Sequence, residues 1–182
     1  MRPLTASRKT GMKRTLIGAL FCLALAAPEL QAAPAAQPTA AQEQEFQASD
    51  DNARARILIS LSKGGHHELA ATLLTRYPLS GEFAANRTLY IEGLIEQGRG
   101  NLSGAVAKYR KALADDPSLT LVRSELANTL AMLDEDDSAK HHLQLLMAEA
   151  RSEQEAAGIR SFMDRLDAKR PFAFNAYVSV AP

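Results

Sequence analysis

The chain has 182 residues, with 21 Lys/Arg against 21 Asp/Glu, a single cysteine and no tryptophan. That length allows one domain of ordinary size. Balanced charge without a basic face interleaved with aromatics excludes nucleic acid as a partner, and one cysteine excludes a disulfide framework or a cysteine-ligated metal.

At the start, Arg8, Lys9, Lys13 and Arg14 precede an apolar run over 16–27, and "LQA" at 30–32 supplies small residues suited to signal peptidase. Residues 1–32 therefore read as a secretory signal peptide, with Met12 as an alternative start. The apolar run is about twelve residues, short of the roughly 20 a membrane-spanning helix needs, so a permanent anchor is the weaker alternative. Cys22 lies inside this run and follows Phe21, which is too large for the residue before a lipidated cysteine. Removing 1–32 leaves 16 basic against 20 acidic residues and no cysteine. A signal of this style on an acidic remainder points to the periplasm. Residues 33–50 open with "APAAQPTAAQEQ", which has almost nothing to bury and reads as a disordered leader.

From residue 51 apolar residues recur at helical spacing in short segments cut by Gly, Pro or acidic turns. The clearest unit is "TLYIEGLIEQGRGNLSGAVAKYRKALADDP", predicted as helices over 82–97 and 101–114. Small Gly93 and Ala105 mark a close crossing, and Tyr109 and Ala112 continue the buried stripe. The spacing of Gly93, Gly100, Ala105, Tyr109, Ala112 and Pro117 resembles the tetratricopeptide repeat at each of those positions. About 35 residues earlier stand Ile57, Leu58, Leu61, Gly65, Ala70, Leu74 and Tyr77, and 34 later Leu126, Ala127, Leu130, Asp134, Ala139, Leu143 and Leu146. The expected fold class is all-α: three helix pairs stacked as a tetratricopeptide-like solenoid over 51–170, with a plain helical bundle as the alternative. A capping helix over 153–169 closes it, with Ala156, Ile159, Phe162, Met163 and Leu166 on one stripe.

His66-His67 and His141-His142 are adjacent pairs, and helical neighbours point about 100° apart instead of converging on one ion, so they read as solvated residues near helix starts. "DEDD" at 134–137 lacks the alternating ligands and glycine of a calcium loop and suits a helix N-terminus. No nucleophile elbow or glycine-rich phosphate loop is present, so no enzymatic activity, metal or cofactor is expected. Interaction surface remains. In tetratricopeptide arrays the first helix of each pair lines a concave groove, and the resemblance transfers that role to Asn52, Ile59 and Ser62, then Arg87, Tyr90 and Leu94, then Leu121, Ser124, Asn128 and Met132. Arg87, Tyr90 and Asn128 are the strongest candidates, since Tyr and Arg dominate interface energetics and an Asn amide can grip a peptide backbone. Leu121 and Ser124 stand where a carboxylate clamp would need cations, so capture of a C-terminal carboxylate is not expected.

The end departs from all this. Over 171–182, Phe172, Phe174, Ala176, Val178 and Val180 alternate with intervening residues in the period of a strand, and Phe172 opens a ten-residue stretch of the length that crosses an outer membrane, with a short edge strand or a frayed tail as the alternative. Signal, short helical array, cap and "RPFAFNAYVSVAP" together resemble the N-terminal periplasmic region of the surface lipoprotein assembly modifier family. That resemblance implies a following outer-membrane barrel, and one strand cannot satisfy its backbone in lipid, so the chain is expected to be a fragment or a truncated form. It further implies a protein partner, either a lipoprotein client or a periplasmic chaperone, recruited for delivery to the cell surface. A free-standing periplasmic scaffold in envelope assembly is the alternative.

Overall fold

The computed structural model describes residues 37–169. Within them the protein is all-α, with eight helices: α1 (Ala40–Ala48), α2 (Asp51–Lys63), α3 (His67–Arg76), α4 (Ala84–Gly98), α5 (Leu102–Asp115), α6 (Thr120–Met132), α7 (Asp136–Glu149) and α8 (Glu153–Ala168). The signal segment at 1–32 and the strand-like tail at 171–182 lie outside the described residues. No helix among the described residues is long and apolar enough to cross a membrane.

Local chemistry fixes most boundaries. Asp50 accepts from the Ala53 amide to start α2, Asn101 from Gly104 to start α5, and Ser152 from Glu155 to start α8. Each satisfies one of the amides that a helix start leaves without an intrahelical partner. The turns that follow α2, α4 and α6 share one geometry. Gly65, Gly100 and Asp134 all have positive φ, at 86°, 81° and 58°. The next amide in each case donates back five residues at 2.9 Å: His66 to Leu61, Asn101 to Glu96 and Glu135 to Leu130. This is the left-handed helix ending that glycine favours and aspartate tolerates better than most residues.

The expectation of a disordered leader over 33–50 is corrected over Ala40–Ala48. Thr39 and Gln42 form a reciprocal capping box that starts α1, with the Gln42 amide donating to Thr39 Oγ1 and the Thr39 amide to Gln42 Oε1. One apolar residue then anchors the helix: Phe46 is 2 % exposed, packs with Leu69 and Leu73, and meets the Tyr77 ring at 5.9 Å between centroids. Arg54 donates to the carbonyls of Phe46 and Gln47, holding the α1 C-terminus to α2.

Each helix packs on the next from α2 to α8, and α2 also packs on α4. Two clusters form the core, and α4 enters both: Ile91 and Ile95 join Leu58, Leu69, Ala70, Leu73 and Leu74, whereas Leu89, Tyr90 and Leu94 join the cluster running through α5, α6 and α7 to Leu166. A helix apolar on two faces is one buried between neighbours. Small residues set the closest approaches. Gly93 lies so near Tyr109 that a Cβ there would sit 2.2 Å from the ring, and Tyr109 is fully buried with its hydroxyl donating to Gln97 Oε1 at 3.0 Å. Burial pushes that phenol well above its usual range. Gly98 receives the His67 ring in the same way.

The reading of the histidines as solvated residues near helix starts fits His66, exposed before α3, and is corrected in part for the others: His67 opens α3 but is half-buried against Gly98, and His141, exposed, and His142, half-buried, lie in the middle of α7. α8 lays Ile159, Phe162, Met163 and Leu166 on the core, and the Lys169 ammonium donates to the Ala131 carbonyl at 3.2 Å.

Candidate interaction cleft

The transferred groove residues lie on α2, α4 and α6, and the structure divides them. Along α4 and the Phe83 that precedes it, the spacing of Phe83, Arg87, Tyr90 and Leu94 places four side chains on one stripe. Arg87 and Tyr90 line a cleft of about 370 Å³ with Phe83, Asn86, Asp116, Ser118, Leu119, Thr120, Leu121 and Val122. Leu94 and Met132 line a second opening of about 440 Å³, with Ser62, Lys63, His67, Gln97, Gly98 and Glu125. Ser124 and Asn128 are exposed on α6 and line neither space. Asn52 is exposed, Ile59 is half-buried, and Ser62 is buried with its hydroxyl donating to the Leu58 carbonyl.

An ion pair lies between α2 and α6. Lys63 Nζ reaches Glu125 Oε1 at 2.7 Å, and the ammonium also neighbours the Tyr90 hydroxyl. The hydrogen bond to Glu125 holds the Lys63 amine above its ordinary value, and burial raises the Tyr90 phenol, with the Glu125 charge adding to it. Tyr90 and Leu94 are consequently walls and floor, only 8 % and 6 % exposed. Tyr90 lines the first space and Leu94 the second, and the large apolar side chains exposed beside them are Phe83, Leu121 and Met132.

Phe83 and Asn86 were not visible as site residues in the sequence, although the signal was there. Phe83 stands four residues before Arg87 on the same stripe, and Asn86 is its neighbour. Across the cleft, Asp116 accepts from the Ser118 amide at 2.9 Å and hydroxyl at 2.7 Å, which together hold its carboxyl below the usual range. The two rims thus differ in sign: a guanidinium on α4 and a carboxylate on the turn before α6. Among the described residues no three His, Cys, Asp or Glu gather as a metal-binding group. Such an arrangement can bury an apolar group and orient polar ones around it. Comparison with protein-family models, with curated proteins and with solved structures gives no match.

Proposed function

We propose that residues 51–169 form a tetratricopeptide-like array of three helix pairs capped by α8, acting as a periplasmic module that binds a protein partner in the cleft between α4 and α6. The observation that carries this reading is the recurrence at Gly65, Gly100 and Asp134 of one turn with one hydrogen-bond pattern. It is supported by the matching buried positions Ala70, Ala105 and Ala139, each 0 % exposed. Stacked pairs of this kind share a continuous core and leave the first helices facing a common surface. The resemblance to the surface lipoprotein assembly modifier family supplies the partner class, a lipoprotein client or its chaperone, and the association with an outer-membrane barrel.

Site-directed photocrosslinking tests this. A photoreactive phenylalanine replaces Leu121 in the cleft or Leu145, which is 38 % exposed on α7. In a Gram-negative host, the protein should appear in the osmotic-shock fraction and give a discrete adduct from position 121 that is missing from position 145. Cytoplasmic retention, or adducts independent of position, would remove the reading.

A further inference from the structure

Four large hydrophobic side chains are exposed among the described residues, and two of them, Phe83 at 58 % and Leu121 at 72 %, line the same cleft. Tyr90 and Val122, both buried, form apolar wall between them. Isolated exposed apolar residues are ordinary; two converging on one concavity are not. The polar groups beside them carry the rest of the argument. The Arg87 guanidinium lies 5.8 Å from the Phe83 ring centroid and makes no ion pair with any described residue. The acid it senses electrostatically, Asp51, already accepts from the Ser80 amide at 2.9 Å and hydroxyl at 2.6 Å and pairs with Arg54 at 3.7 Å. The side-chain amide of Asn86, in the same wall, makes no hydrogen bond to a described residue.

We infer that this cleft takes an extended peptide bearing a large apolar side chain with a carboxylate one or two residues away. The apolar group enters between Phe83 and Leu121 against Tyr90, and the carboxylate pairs with Arg87. This rests on the interaction reading above and gives its partner a chemistry. A guanidinium fork stacked on a ring is held in place for a carboxylate, which it can engage through two parallel hydrogen bonds. The Asn86 amide offers both a donor and an acceptor to a backbone running past it. A lysine at the acidic position would instead meet the Arg87 charge, so the cleft discriminates by repulsion as well as attraction. The α5–α6 rim contributes Asp116, which favours backbone amides or a cation at the other end of the peptide and fixes its direction.

The test is selection of random octapeptides, displayed with blocked C-termini, on the immobilised 182-residue chain. Fluorescence anisotropy then measures selected sequences against wild type, Leu121→Asp and Arg87→Gln, with circular dichroism melts to establish that both variants fold. Expected are peptides sharing a large apolar residue with Asp or Glu within two positions. Leu121→Asp should weaken them at least about tenfold. Arg87→Gln should weaken them about three- to tenfold, and that difference should vanish when the peptide acid is changed to its amide. Failure to enrich any peptide, enrichment without an acidic neighbour, equal weakening of acid and amide peptides by Arg87→Gln, or wild-type binding by Leu121→Asp would each overturn the inference. A partner crosslinked at position 121 without acidic preference would sink this inference alone; no adduct and no enriched peptide would sink the interaction reading with it.

Discussion

Gly93→Ala and Gly158→Ala make the same chemical change inside a helix, and the structure assigns them opposite signs. At Gly158, in α8, a Cβ meets nothing within 4 Å. Alanine there gains only its helix preference, about 0.5–1 kcal/mol. At Gly93 the new Cβ falls 2.2, 2.7 and 2.8 Å from Cε1, Cδ1 and Cζ of Tyr109. Ordinary carbon contacts begin near 3.5 Å, so the ring must retreat by roughly 1.3 Å. It has little room to do so, being fully buried, 6.3 Å from the Tyr90 centroid and tied to Gln97. Overpacking of this kind costs about 1–3 kcal/mol, and losing the Gln97 bond about 1 more, against a helix gain of about 1. The net expectation is about 1–3 kcal/mol of destabilisation, which places the two variants about 2–4 kcal/mol apart. Urea unfolding followed by far-ultraviolet circular dichroism measures both, with unchanged slopes as the sign that stability alone has moved. A Gly93→Ala protein as stable as wild type would refute the packing described between α4 and α5.

Asp134→Gly should stabilise by about 0.5–1 kcal/mol, because it relieves a positive φ of 58° while giving up only an exposed ion pair with Lys169; thermal melting at matched pH checks it. Phe46→Ala should cost about 3 kcal/mol by removing the buried apolar anchor of α1, and limited proteolysis should then cut within Ala40–Ala48 before the rest of the chain. Arg123→Met should cost about 1–2 kcal/mol, since this buried guanidinium bonds both Glu149 and the Pro117 carbonyl, tying α6 to the end of α7; chemical denaturation measures the loss. Stability should also fall on acidification. Burial, with His141, Arg123 and Arg110 nearby, lowers His142 below the ordinary imidazole value of 6.5. The unfolded chain therefore takes up the proton first, so the contribution is complete above pH 6.5 and is lost as pH falls through the depressed folded value. His142→Gln should flatten that part of the profile, and an unchanged slope would exclude His142 as its source.

Much of the helical order was readable because punctuation is local. Helices expected over 82–97, 101–114 and 153–169 occur as Ala84–Gly98, Leu102–Asp115 and Glu153–Ala168, bounded by the Gly, Asn and Ser residues that end or cap them. The spacing of 34–35 residues between Gly65, Gly100 and Asp134 was legible for the same reason, and all three take a positive φ at a helix end. α1 was missed because composition outweighed the "TAAQ" capping box at 39–42 and a single Phe. The site was only partly legible. Helical spacing placed Arg87 and Tyr90 on one stripe, but whether a stripe faces solvent depends on what crosses it, and the Lys63–Glu125 pair joins residues 62 apart that no local pattern connects. Asn86 escaped for a related reason: it lines the cleft only because the turn before α6 folds opposite it.

The Lys63–Glu125 pair has a mechanical consequence. Helices α2 to α8 pack mainly each on the next, so the ends can loosen while the centre persists. A charge pair from α2 to α6 reaches past α3, α4 and α5 in the sequence and acts as a clasp between the two flanks. Exposed as Lys63 is, its energy is at most about 1 kcal/mol, yet it is forfeited whenever either flank loosens, so melting of the two ends is correlated. Raising the salt concentration should screen the clasp and let the flanks breathe separately, broadening the transition before its midpoint shifts appreciably.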